Sequence, residues 1–112
     1  RSSLVSLRPF RGDPAYAASK AAMDSWVRSF SYEYGQQGIT ANAIAPGFVM
    51  TETNKKLASE PKIEEFVKTR IPAQRWAQPE EIANVTLFLA SDAASYINGQ
   101  VIVADAGLSA SL

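Results

Sequence analysis

The chain has 112 residues, 46% of them hydrophobic and 20% charged, and its eleven basic and eleven acidic side chains cancel. That is the make-up of one modest globular domain without a net field, which disfavours nucleic acid and anionic membrane surfaces as partners. The absence of cysteine and histidine removes disulfides, thiolate metal sites and the usual zinc sites, no apolar run is long enough to span a membrane, and a reducing, cytoplasmic compartment fits.

Arg1 is not an initiator methionine, and the apolar Leu4-Val5-Ser6-Leu7 follows almost at once, so the sequence reads as one entered part-way, a fragment. Residues 2 to 7 have the character of the end of a buried strand, and Arg8 to Asp13 that of a loop. Pro14 and Ala15 then open a long helix through about Tyr34, because Ala18, Ala22, Trp26, Phe30 and Tyr34 recur at i+4 steps with Met23, Val27 and Ser31 beside them. Two apolar faces are implied, and Trp26 and Phe30 suit packing of helix on helix. Gly35 and Gly38 end the helix.

Ile39 to Ala45 is expected as a short strand covered on both faces and stopped by Pro46-Gly47, the form a βαβ unit takes at the carboxyl edge of a parallel sheet, where ligands bind. Residues 48–72 carry a weak helix, Glu52 to Ser59, and a better one opened by Pro61 with Ile63, Phe66 and Val67 on one face. This stretch is charged and weakly anchored in apolar terms, so it is expected as a lid over a site; a solvated excursion is the alternative. In the linker Ile71 to Gln78, Arg75 is expected to be structural, a tether between lid and body. Pro79-Glu80-Glu81 makes a helix first turn, proline pre-set and carboxylates at the positive end, and that helix runs to about Ala90. Turn-rich residues lead to a last strand, Gln100 to Ala104, and Asp105-Ala106-Gly107 turns the chain outward. The order is α/β with a parallel, doubly wound sheet in a single partial domain, residues 1–112. Three strands are too little sheet, so one or two apolar surfaces are expected to need covering by other strands.

Tyr16 and Lys20 carry the chemistry. Four residues apart at the start of a helix, they share one face, and a cation held beside a phenol favours its ionised form, which suits proton exchange with an alcohol or carbonyl. A tight turn through Arg11-Gly12-Asp13-Pro14 would return the Ser3 hydroxyl to the phenol. On pattern alone, a packed tyrosine beside a surface lysine is the competing reading.

Several stretches together resemble the short-chain dehydrogenase/reductase family. Tyr16-Ala17-Ala18-Ser19-Lys20 is similar to its Tyr-x-x-x-Lys motif, with Ser3 at the usual distance before it. Asn42-Ala43-Ile44-Ala45-Pro46-Gly47 resembles the family strand that ends in Pro-Gly, and Thr51 falls at the family's threonine. Arg75, Pro79-Glu80-Glu81-Ile82-Ala83, Phe88-Leu89-Ala90-Ser91-Asp92 and Gly99-Gln100 followed by Asp105-x-Gly107 come in the family's order. Arg70 to Trp76 is similar to sugar-acid and polyol dehydrogenases of the gluconate type and overlaps the 3-oxoacyl reductases.

The resemblance implies the carboxyl-terminal portion of a Rossmann-like sheet, with the amino-terminal dinucleotide-binding half absent. It implies NAD or NADP as cofactor, the determinants of that choice being absent, and a secondary alcohol or ketone as substrate. Ser3, Tyr16 and Lys20 would be catalytic. Tyr16, Lys20, Pro46, Gly47, the backbone near Val49 and the Thr51 hydroxyl would hold the cofactor. A homodimer or homotetramer is implied, and the chain would require its missing half. Against the family pattern, no glycine-rich turn follows a first strand, and Ala106 stands where the family has glycine, adding a β-carbon at a turn. A truncated or degenerate homologue, inert and serving only structure or assembly, is the other class of function; on either reading the isolated chain is expected to be inactive.

Overall fold

A computed structural model describes residues 14–110. The strand expected at residues 2–7, the loop after it and Ser3 lie outside the described residues.

Helix α1, Pro14–Tyr34, opens on the proline whose fixed φ suits a first helical turn. Trp26, Phe30 and Tyr34 stack down one side of it at i+4 spacing, with ring centroids 4.9 and 4.6 Å apart. Of the whole helix only Asp24 and Val27 are buried, and Trp26 is 59% exposed. Gly38 adopts φ 76 and its N–H donates to the Gly35 carbonyl (3.1 Å), ending the helical segment.

Strand β1 spans Ala43–Pro46 and pairs in parallel with β2, Val101–Ala104, from Ala43 opposite Val101 to Pro46 opposite Ala104. β1 starts later than the expected Ile39. The reason is a pair of asparagines. Asn98 Oδ1 accepts from the Ala41 N–H (2.9 Å), Asn42 Nδ2 donates to the Ile97 carbonyl (3.0 Å) and Asn42 Oδ1 accepts from the Gln100 N–H (3.0 Å). Just before the ladder, side-chain amides therefore take up part of the backbone's bonding, beside the Gly99 N–H that donates to the Ala41 carbonyl (2.8 Å). Successive strand residues point to opposite faces. Ala43 shares a cavity wall with Met23 and Val27 of α1, while Ile44 shares one with Ile82, Thr86 and Leu89 of helix α4, Pro79–Leu89. One helix thus covers each face, as the doubly wound α/β reading requires.

Between β1 and α4 lie a 3₁₀ turn, Glu52–Asn54, a short helix α2, Lys55–Ala58, and helix α3, Pro61–Arg70. The expectation of weak apolar anchoring here is wrong. Val67 and Ile71 form a buried cluster with Leu108, and Phe48, Ile63, Phe66 and Trp76 pack against it. The anchor was missed because Leu108 comes from beyond β2, and Phe48 and Trp76 flank the helices rather than sit on them. Phe48 stacks on Phe66 at 5.4 Å and meets Trp76 at 5.0 Å. Only the weak helix α2 fits the expectation, with Leu57 exposed.

α4 buries no residue fully, and Leu87 (68% exposed) and Phe88 face outward. With Trp26, and with Tyr32 and Tyr96, which are more exposed still, these are among the apolar surfaces left uncovered in the described residues.

Ala106 sits at φ 57. That left-handed conformation costs an L-residue with a β-carbon roughly 1–2 kcal/mol, part of which glycine gives back in the unfolded chain. Ala106→Gly is therefore expected to stabilise the chain by about 1 kcal/mol, raising Tm by roughly 4–8 °C in a thermal melt.

Candidate functional site

Helix α1 packs against β1, and two contacts give the direction in which it runs. Ser31, near the end of α1, lies against Gly99 just before β2, so close that a β-carbon on Gly99 would stand 2.6 Å from its Oγ. Met23 and Val27 then stand beside Ala43. From Val27 back to Lys20 is about 10 Å at the helical rise, and from Ala43 to Pro46 about 10 Å along the strand. Tyr16 and Lys20 therefore lie toward the end of the sheet where β1 exits through Pro46-Gly47.

The first turns of α1 put Tyr16 and Lys20 on one face, with Lys20 Nζ 5.3 Å from the centre of the Tyr16 ring, within the range of a cation–π contact. Tyr16 is 46% exposed. Ser19, between them, turns its hydroxyl back to the Tyr16 carbonyl (2.8 Å).

At the β1 exit the backbones converge. Gly47 donates to the Ala104 carbonyl (3.0 Å), and a β-carbon on Gly47 would lie 2.8 and 2.9 Å from Cβ and Cα of Asp105. Only glycine fits that approach. Beyond it, Ala77 N–H donates to the Phe48 carbonyl and Met50 N–H to the Ala77 carbonyl, each at 2.8 Å, a parallel bridge that holds Val49 buried. The Val49 carbonyl accepts from the Thr51 N–H (3.0 Å) and from Asn54 Nδ2 (2.9 Å). Thr51 precedes the 3₁₀ turn, but its hydroxyl makes no capping bond there and lies 3.0 Å from the Thr53 hydroxyl.

Arg75 grips Glu81 with two parallel bonds of 2.8 Å and reaches the Trp76 carbonyl at 3.2 Å. Arg75 therefore ties the linker to the first turn of α4, and these bonds reach no residue of the expected lid, 48–72. Hydrogen bonding from Arg75, and then the Gln78 N–H at 2.8 Å, draw the Glu81 carboxyl from its ordinary 4.5 down to about 2. Because the folded value is the lower one, the pair contributes stability above about pH 4.5 that fades as pH falls toward 2. Carbon-13 titration of the Glu81 carboxyl is expected to give that low midpoint, and Arg75→Met to return it toward the ordinary value.

A cleft of about 320 Å³ opens between Phe48, Ile71, Arg75, Glu81, Val103 and Ala106. Tyr16 and Lys20 are not in its walls, so this cleft and the phenol are separate features. Asp105, which borders the cleft, is marked in the sequence as a turn and family-pattern residue but not as a site residue. The signal available was Asp followed two residues on by Gly, a pattern in which a carboxylate bonds its own backbone. Among the described residues no group of three or more acidic side chains could hold a metal ion, and no helix is long and apolar enough to cross a membrane.

The profile of a protein family described as enoyl-(acyl carrier protein) reductase matches residues 1–109. The chain belongs to the short-chain dehydrogenase/reductase family. Within the family it is 41% identical to 2-dehydro-3-deoxy-D-gluconate 5-dehydrogenase of Bacillus subtilis, over 94% of this chain and 42% of that protein. It is 44% identical to the 3-oxoacyl-[acyl-carrier-protein] reductase FabG of Thermotoga maritima, over 96% of this chain and 43% of that one. The structure of 4-hydroxyisoleucine dehydrogenase complexed with NADH superposes with a TM-score of 0.93 at 30% identity, covering 97% of this chain and 45% of that one. Structures of short-chain dehydrogenase/reductase relatives hold NADH or NADP, and the relatives include both the gluconate and 3-oxoacyl types that the sequence resembles. The chain spans less than half the length of the curated relatives it matches.

Proposed function

We propose that the chain is the catalytic part of an NAD- or NADP-dependent oxidoreductase that interconverts a secondary alcohol, of sugar, polyol or hydroxyacyl type, and a ketone. The observation that carries this reading is the Tyr16–Lys20 pair, one helical turn apart with the ammonium 5.3 Å from the phenol ring, at the carboxyl end of a parallel strand. Tyr16 donates its proton to the substrate oxygen in reduction and takes it back in oxidation. Lys20 hydrogen-bonds the ribose beside the nicotinamide. Ser3 orients the substrate oxygen.

The cofactor supplies hydride chemistry at its nicotinamide ring, and the residues suit that end of it. Pro46 and Gly47 form the wall against the ring. Thr51 offers a hydroxyl to the carboxamide. With the Val49 carbonyl engaged by Thr51 and Asn54, the Val49 N–H is the backbone group for that ligand. The described helices α1 and α4 both begin with proline and supply no glycine-rich turn for a pyrophosphate. The pyrophosphate cradle therefore comes from a second, amino-terminal half, joined to this chain or bound to it, and the working enzyme is a homodimer or homotetramer.

The exposed Trp26, Leu87 and Phe88 favour one other reading, an inert module used in assembly. The two separate in one experiment. Alone, the 112-residue chain is expected neither to change the fluorescence of reduced cofactor nor to oxidise any of a panel of polyols and hydroxy acids. Supplied with the amino-terminal half of a relative, it is expected to do both. Turnover by the lone chain would refute the need for that half, and silence of the complemented one would favour the inert module.

A further inference from the structure

The cluster of Val67, Ile71 and Leu108 joins α3 to the turn after β2, and one carboxylate shapes that turn. Asp105 Oδ1 accepts from the Gly107 N–H (3.0 Å) and Oδ2 from the Ser109 N–H (2.9 Å), while its carbonyl accepts from the Leu108 N–H (3.2 Å). Two successive residues inside the turn are left-handed, Ala106 at φ 57 and Gly107 at φ 91. Such a backbone persists only where its surroundings over-determine it, and charge-assisted bonds to both carboxylate oxygens do that here. The turn is seated at both ends. A β-carbon on Gly107 would stand 2.9 Å from Cγ of Pro72, just past α3, and one on Gly47 would stand 2.8 Å from Cβ of Asp105.

We propose that Asp105 is a positioning residue: it sets how α3 sits over the β1 exit, by holding the turn that delivers Leu108 to the α3 cluster while resting on Gly47. Its effect on substrate choice rests on the oxidoreductase reading; its effect on α3 does not.

The test is hydrogen–deuterium exchange on the 112-residue chain with Asp105→Ala, Asp105→Asn and Leu108→Val. In Asp105→Ala the amides of Glu64 to Arg70 are expected to exchange about tenfold faster while those of Met23 to Tyr34 are unchanged. Asp105→Asn keeps one acceptor oxygen and is expected to fall between. Leu108→Val, a milder change that preserves the fold, is expected to give the same selective loss in α3. Equal acceleration in α1 and α3, or no change in α3, overturns the proposal. In the complemented enzyme, Asp105→Asn is expected to raise substrate KM about tenfold with kcat held. A fall in kcat at constant KM overturns the substrate half of the proposal. Absence of turnover in the unmutated complemented enzyme instead defeats the oxidoreductase reading and leaves the exchange result standing.

Discussion

Tyr16→Phe is expected to lower the turnover of the complemented enzyme by roughly 10²- to 10⁴-fold, the usual worth of a positioned general acid or base. The substitution removes one oxygen and leaves the ring, so the contact with Lys20, whose Nζ sits 5.3 Å from the ring centre, survives. Because Tyr16 is 46% exposed, losing its hydroxyl strips little packing from the fold. Substrate KM and the circular dichroism spectrum are therefore expected to stay close to those of the parent, the pattern of an interaction made chiefly in the transition state. Steady-state kinetics in both directions read the effect. Turnover within about twofold of the parent would reject proton transfer by Tyr16 and reduce the Tyr-x-x-x-Lys spacing to the packed alternative.

Local pattern carried the helices well. The i+4 ladder from Ala18 to Tyr34 fixed α1, and Pro14, Pro61 and Pro79 marked the starts of α1, α3 and α4, because proline's fixed φ and missing donor suit only the first turn. The candidate pair was equally legible, since helical spacing alone puts Tyr16 and Lys20 on one face.

Features that depend on distant residues were not legible. The start of β1 is decided by amide bonds across 55 and 57 residues of sequence, and no window around Ile39 contains Ile97 or Asn98. Gly47 reads locally as a stop after proline, yet its stricter requirement comes from Asp105 pressed against it across the sheet. The same blindness made residues 48–72 look loose. Their charged composition is that of a mobile cover, but the apolar face of α3 finds its partner in Leu108, from the far side of β2.

That last correction has a measurable consequence. Ile71 is 2% exposed, and Ile71→Ala is expected to cost about 2–5 kcal/mol, the range for emptying a packed site. A residue in a loosely attached lid would cost a few tenths. No large side chain is fully buried among the described residues, and a loss of that size, a large fraction of a typical domain's stability, is expected to lower the denaturant midpoint strongly or unfold the chain outright. Ile71→Val removes a single methyl and is expected to cost about 0.5–1.5 kcal/mol, which keeps the measurement within reach if the alanine variant does not fold. An unshifted midpoint for both would mean that the cluster of Val67, Ile71 and Leu108 contributes nothing to cohesion. With the expected loss, α3 is part of the body of the fold, whereas α2, at Lys55–Ala58, buries no residue.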